Sequence, residues 1–203
     1  MFKETILEIF EHIWPMLFIF SIVLSSIRIA YLYEKKEKIV IYREIFNLLF
    51  ILYILCLFHV VTFQDVAWSS SNFIPFKEMF RYEIGSRLFF KNVVGNMLMF
   101  LPYGFFVSNY VKTKRPILIL NLIFIASFTI ELTQMIIGRV FDIDDIILNI
   151  MGGLAGYLIY SVLKEIDHKL PKIFKKELFY NILFLIFIIL CILYLGNIVN
   201  FGV

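Results

Sequence analysis

Long apolar runs separated by short charged clusters form the main pattern of this 203-residue sequence. A helix needs about 20 apolar residues to cross a hydrocarbon layer about 30 Å thick, so runs of that length predict membrane-spanning helices. Six such runs occur. They are Ile13–Tyr33, Ile45–Phe63, Val93–Val111, Ile117–Ile137, Ile146–Leu163 and Leu178–Asn200. The sequence therefore predicts an all-α, polytopic integral membrane helix bundle with about six transmembrane helices, forming a single membrane domain over residues 1–203.

The composition supports this prediction. Hydrophobic residues make up 61% of the chain and charged residues 17%, whereas soluble domains have roughly 45–50% and about 25%. Cys56 and Cys191 lie inside apolar runs, which excludes a secreted disulfide scaffold. The formal net charge of +3 is too small to indicate nucleic acid as a partner.

The distribution of Lys and Arg predicts the orientation, because cytoplasmic loops of membrane proteins are enriched in these residues. One set of loops holds twelve of the nineteen, the alternate set holds six, and Arg28 lies in the first run. The basic loops follow the first, third and fifth runs, so both termini are predicted to be extracellular in a multi-pass protein of the bacterial cell membrane. The longest loop on the extracellular side, Gln64–Asn92, is rich in aromatic and basic residues and is predicted to lie at the membrane interface.

Polar residues in the fourth run share one helical face. Ser127, Glu131, Gln134 and Gly138 follow one another at spacings of four, three and four. A charge near a helix centre costs about 2.5–3.5 kcal/mol, so Glu131 needs a partner. We expect Arg139, folded back after Gly138, to be that partner; the alternative is that Arg139 only reaches the lipid headgroups.

A second stripe begins at the fifth run, where Asp142, Asp145, Asn149, Gly152 and Gly156 follow spacings of three, four, three and four. Glycines in membrane helices allow another helix to approach closely, so the polar groups above them are expected to face a helix interface. The neighbouring Asp144 is sufficiently explained by capping of the helix N-terminus.

The third run contributes a pair of amides and a predicted break. Asn92 and Asn96 lie four residues apart at its outer end, and Pro102-Tyr103-Gly104 predicts an interruption about a turn below. With the two stripes and the loop, these residues predict one polar cluster in the outer third of the membrane. Its candidates are Arg87, Asn92, Asn96, Glu131, Gln134, Arg139, Asp142, Asp145 and Asn149.

This combination leaves several kinds of chemistry open: a divalent cation on oxygen ligands, acid–base catalysis or a bound polar headgroup. His12, His59 and His168 are scattered, so neither a zinc nor a haem site is predicted. No phosphate-binding Gly-rich motif occurs either. No cofactor is expected.

These motifs resemble the pattern of VanZ-like membrane proteins over residues 64–160. The similar residues are Asn72-Phe-Ile-Pro-Phe76, the segment from Asn92 to Gly104, Glu131-Leu-Thr-Gln134, Gly138-Arg139, Asp142-Ile-Asp-Asp145, Asn149 and Gly152. The resemblance implies an integral membrane protein of Gram-positive-type bacteria, associated with low-level resistance to teicoplanin and related lipoglycopeptides. It implies no settled reaction.

Two hypotheses follow. In the first, the outer-leaflet cluster binds or modifies a cell-envelope lipid, a lipid-linked cell-wall precursor or the lipoglycopeptide itself. In the second, the protein is an intramembrane enzyme in which Glu131 is a general base and Asp142 and Asp145 orient water or a cation, while the arginines hold an anionic group. A transporter is less favoured because no paired repeat is found.

Overall fold

The computed structural model describes residues 2–63, 71–113, 115–169, 171 and 177–198. Within them the long elements are α-helices: α1 (Phe2–Lys35), α2 (Ile41–Phe63), α3 (Gly95–Val111), α4 (Pro116–Ile136), α5 (Ile143–Lys169) and α6 (Glu177–Ile198). The all-α prediction is confirmed. Residues 64–70, which begin the predicted interfacial loop, and residues 199–200 of the sixth predicted span lie outside the described part.

Four helices in the described part are long and apolar enough to cross a membrane: Glu11–Lys35 of α1, Ile41–Thr62 of α2, and all of α4 and α5. The third and sixth predicted spans are also helical, with 17 residues in α3 and 22 in α6. Large apolar side chains such as Phe18, Leu158 and Ile182 are exposed on the helices. Hydrocarbon is the solvent that suits such surfaces, so the protein is a helical membrane protein.

The predicted break at Pro102 is wrong. Helix α3 continues through Pro102 to Val111, as membrane helices can when their surroundings satisfy the freed backbone groups. The irregularity lies earlier, where a short α-helical turn (Arg87–Phe89) leads into a π-helical turn (Phe90–Val94) just before α3.

The chain divides into two compact units, Met1–Val60 with Lys169–Val203, and Val61–His168. In the first unit, Arg28 of α1 makes a bidentate ion pair with Glu44 of α2, with Nε 2.7 Å from Oε2 and Nη2 3.1 Å from Oε1. The Nζ atom of Lys38 lies 2.6 Å from Oε2 of Glu177 at the start of α6. The first contact joins α1 to α2, and the second joins the loop between them to α6.

The second unit begins with the end of α2 at Val61 and contains α3, α4, nearly all of α5 and the loop before α3. Its most deeply buried apolar side chains are Phe100 of α3 and Ile119 and Ile123 of α4, all with no exposed surface. The loop reaches α5 through an isolated parallel bridge between Asn72 and Asp142. This unit carries the polar residues predicted to form a site.

Candidate functional site

Glycines bring α3 and α5 into backbone contact. A β-carbon placed on Gly104 would lie 1.8 Å from the carbonyl oxygen of Gly153, and one placed on Gly152 would lie 2.0 Å from that of Met97. Gly156 meets the Leu101 carbonyl at the same 2.0 Å. The predicted close approach at Gly152 and Gly156 is confirmed, and α3 is the neighbouring helix. The polar residues one to three turns before these glycines are thereby held near α3.

Two side-chain hydrogen bonds join the polar stripes of the three helices. Asn96 Nδ2 of α3 donates to Asp145 Oδ1 of α5. One turn further along α5, Asn149 Nδ2 donates to Ser127 Oγ of α4 at 3.0 Å. Ser127 and Asn149 are buried, with 0% and 2% of their surface exposed. Asn96, Asp145 and Asn149 therefore meet in the α3–α4–α5 interface, as the stripe pattern predicts.

Glu131 is buried in this interface, with 2% of its surface exposed. Its Oε2 atom accepts a hydrogen bond from the backbone N–H of Asp142 at 3.0 Å. The expectation that Arg139 is its principal partner is wrong, because the Arg139 guanidinium donates through Nη1 to the carbonyl oxygen of Val61. That carbonyl belongs to the last turn of α2, where a cation is favourable.

The turn after α4 explains where Arg139 goes. Gly138 has a φ of +85°, the left-handed conformation that suits glycine. Its N–H donates to the Met135 carbonyl, and the Arg139 N–H donates to the Gln134 carbonyl at 2.8 Å. These are the two bonds of a Schellman motif, which ends the helix and reverses the chain toward Asp142.

Asp142 connects α5 with the loop before α3. Its Oδ1 atom accepts from the backbone N–H of Asp144 at 2.9 Å, which is an N-capping contact, and from Asn72 Nδ2 at 2.9 Å. Asn72 also donates its N–H to Phe141 O and accepts from Ile143 N, at 2.8 and 3.1 Å. Burial raises the pKa of the Asp142 carboxyl above its ordinary value, because the charged form loses hydration.

The capping role that sequence reasoning gave to Asp144 belongs to Asp142. Asp144 is 1% exposed, and its carboxylate accepts three backbone N–H groups from the loop: Phe76 at 2.5 Å, Glu78 at 2.7 Å and Met79 at 3.0 Å. Phe76 has a left-handed φ of +67°, which is unfavourable for a bulky residue. We name these three bonds the Asp144 clamp. The Asn72-Phe-Ile-Pro-Phe76 segment was the only sequence signal for it.

The side-chain hydrogen bonds described above do not include the remaining candidates. Arg87 is exposed in its short helical turn, and Asn92 lies half-buried in the π-helical turn. Gln134 is also half-buried, and neither amide side chain makes a hydrogen bond with the described residues. His59 belongs to the other unit.

In the described part of the chain, no group of three His, Cys, Asp or Glu residues could hold a metal ion.

Comparison with known families identifies the chain. The profile of the VanZ/LLP1 family matches residues 45–164, more than half of the sequence. The chain belongs to the VanZ/LLP1 family. No curated protein and no solved structure matches it. The VanZ/LLP1 match confirms the resemblance inferred from the motifs, and it includes α3, α4 and all nine candidate residues.

Proposed function

We propose that this VanZ/LLP1 protein binds the polar head of a cell-envelope lipid or of a lipoglycopeptide and lowers susceptibility to teicoplanin. One observation carries the proposal: Glu131 and Asp145 lie in a helix interface without an ion pair to any described residue. Ionisable residues inside a membrane are rare and commonly mark a pathway or a site for a ligand, ion or proton. Unpaired acids in that position favour an outside ligand.

Isosteric amides test this proposal. We expect Glu131→Gln and Asp145→Asn to reduce teicoplanin resistance to that of cells lacking the protein, while the variants still accumulate in the membrane. Each amide keeps an oxygen that can accept the present bond from Asp142 N or Asn96 Nδ2, so the change mainly removes the ability of the side chain to ionise. The measurement is the minimum inhibitory concentration of teicoplanin for cells that express each variant at the same level.

Glu165→Gln and Asp167→Asn are the matched controls, because both acids are exposed near the far end of α5. They should keep wild-type resistance. Wild-type resistance in Glu131→Gln and Asp145→Asn as well would remove both carboxylates from the site.

An enzymatic role is the second candidate, supported by the raised pKa of Asp142. A carboxyl whose pKa is closer to neutrality is a better general acid or base at physiological pH. Asp142 adjoins the candidate general base Glu131, whose Oε2 atom accepts the Asp142 N–H. In this mechanism Glu131→Gln would lose turnover of an envelope lipid while retaining its binding. Loss of a general base typically reduces the rate about 100- to 10,000-fold.

The extracellular position of the cluster and of both termini is part of the proposal and rests on the asymmetry of Lys and Arg. Single cysteines would test it in a chain with Cys56 and Cys191 replaced by alanine. Ile84→Cys, at a position that is 89% exposed, should react with a membrane-impermeant maleimide in intact cells. Lys112→Cys, just after α3, should react only after lysis. The reverse pattern would invert the orientation.

A further inference from the structure

Three acceptor oxygens in the α3–α4–α5 interface have no donor among the described residues. Glu131 uses only Oε2, and Asp145 uses only Oδ1. Asn149 Oδ1 is fully buried and has no hydrogen-bond partner. Fully buried polar atoms are nearly always paired, so the unpaired Asn149 Oδ1 indicates a missing donor. Glu131 Oε1 and Asp145 Oδ2 are not among the fully buried unpaired atoms of the described residues.

The three atoms belong to one place in the fold. Asn149 lies four residues after Asp145 on the same face of α5, and its amide nitrogen bonds Ser127, four residues before Glu131 on α4. The buried amide thus points into the interface one turn below the two carboxylates. The unpaired Asn149 oxygen therefore indicates a missing donor independently of the two carboxylates.

The groups around these acceptors are mainly acidic. Glu131, Asp142 and Asp144 all act electrostatically on Asp145, and no described Lys or Arg forms an ion pair with Glu131, Asp142, Asp144 or Asp145. Arg139 is close enough to act on Glu131, but its guanidinium is bonded to the Val61 carbonyl. The complementary ligand therefore carries positive charge and several hydrogen-bond donors.

We infer that Glu131, Asp145 and Asn149 receive the primary ammonium group of an amphiphile, such as an aminated lipid headgroup. A primary ammonium offers positive charge and up to three N–H donors, as in lysine. A quaternary ammonium offers the charge alone. This inference rests on the proposed function and specifies the ligand chemistry of the same site.

The surroundings favour an amphiphile over a soluble amine. Phe73 and Ile74, next to the Asn72 that bonds Asp142, are 65% and 61% exposed. Phe73 is stacked on Phe141, with ring centroids 5.3 Å apart. Exposed apolar side chains beside the acidic cluster provide a surface for the alkyl part of a lipid.

Two lipids that differ only in N-methylation test the inference. Full-length protein in dodecyl maltoside is titrated with dioleoyl phosphatidylethanolamine, dioleoyl phosphatidylcholine or free ethanolamine, and thermal unfolding and native mass spectrometry report binding. A ligand that binds only the folded state raises its stability by an amount that grows with the logarithm of the ligand concentration divided by Kd. We expect phosphatidylethanolamine to bind at least about tenfold more tightly than phosphatidylcholine, and Glu131→Gln and Asp145→Asn to abolish this preference.

Glu165→Gln should keep the preference. Equal binding of both lipids overturns the ammonium assignment, and a preference that persists in Glu131→Gln and Asp145→Asn overturns the site. Equal stabilisation by free ethanolamine supports the ammonium site and overturns its lipid source. A negative result in this lipid titration would not overturn the proposed function, because that proposal depends only on whether the two amide variants lose resistance.

Discussion

Replacing Gly104 with alanine should destabilise the protein more than any other single methyl addition in α3. The new β-carbon would lie 1.8 Å from the Gly153 carbonyl oxygen and within 2.8 Å of the Gly153 α-carbon. These are backbone atoms, so α3 and α5 must separate by about 1.5 Å to restore van der Waals distance. Overpacking of a well-packed core typically costs about 1–3 kcal/mol, and a backbone clash belongs at the upper end of that range.

Gly95→Ala is the matched control. Gly95 begins the same helix, and its added β-carbon would lie at an ordinary 3.5 Å from the Phe90 carbonyl oxygen. Both variants gain the higher helix propensity of alanine, so their difference reports the α3–α5 contact. Thermal unfolding in dodecyl maltoside should show a lower midpoint for Gly104→Ala than for Gly95→Ala. Equal midpoints would mean that the helices do not pack backbone to backbone.

The membrane-spanning helices could be predicted from the sequence alone. The bilayer requires long apolar runs with internally satisfied backbones, and the runs are directly visible. The small-residue stripe of Gly152 and Gly156 predicted a close neighbour, since glycine is the residue that permits one. The identity of that neighbour, α3 through Met97 and Leu101, required the structure.

Part of the polar cluster was also predicted from the sequence. Helical periodicity placed Asp145 and Asn149 on one face, and the structure joins that face to Asn96 and Ser127. Periodicity does not extend past a helix end. It therefore failed at Arg139, whose direction is set by the Schellman turn at Gly138 and by the distant Val61 carbonyl.

Asp144 was assigned the wrong role because its partners are backbone amides. Phe76 lies 68 residues earlier in the chain, and a backbone N–H is the same for every residue type except proline. No side-chain pattern in the loop could identify these donors. The first turn of a helix is also where an aspartate is expected for capping alone, which gave a sufficient local explanation.

The Asp144 clamp predicts that Asp144→Asn has a large effect, where capping alone would make it mild. An asparagine has one oxygen, so it can keep the bonds to Glu78 and Met79 or the bond to Phe76, but not all three. The remaining backbone N–H groups would then face the side-chain NH2 group of the asparagine, which is itself a donor. Hydrogen bonds to a charged group contribute about 1.5–3 kcal/mol each, so losing one raises the open population of the loop about 10- to 100-fold.

Limited proteolysis measures that population. Lys77 and Arg81 are exposed trypsin sites in the clamped segment, and cleavage follows the open fraction when the loop opens and closes rapidly. Cleavage at these residues should accelerate about 10- to 100-fold in Asp144→Asn. Asp167→Asn, at an exposed position of the same helix, should match the wild type. Wild-type cleavage in Asp144→Asn would show that the loop is held by other contacts.

Substitutions in the Asp144 clamp and at the two acids Glu131 and Asp145 should have different effects. Asp144 fixes the loop, whereas Glu131 and Asp145 have acceptor oxygens without described donors. We therefore expect Asp144→Asn to lose teicoplanin resistance together with faster cleavage at Lys77 and Arg81. Glu131→Gln and Asp145→Asn should lose resistance while cleavage stays at the wild-type rate. The proposed ligand would need both an ordered loop and the acidic acceptors, so only the combined measurements separate a positioning residue from a binding residue.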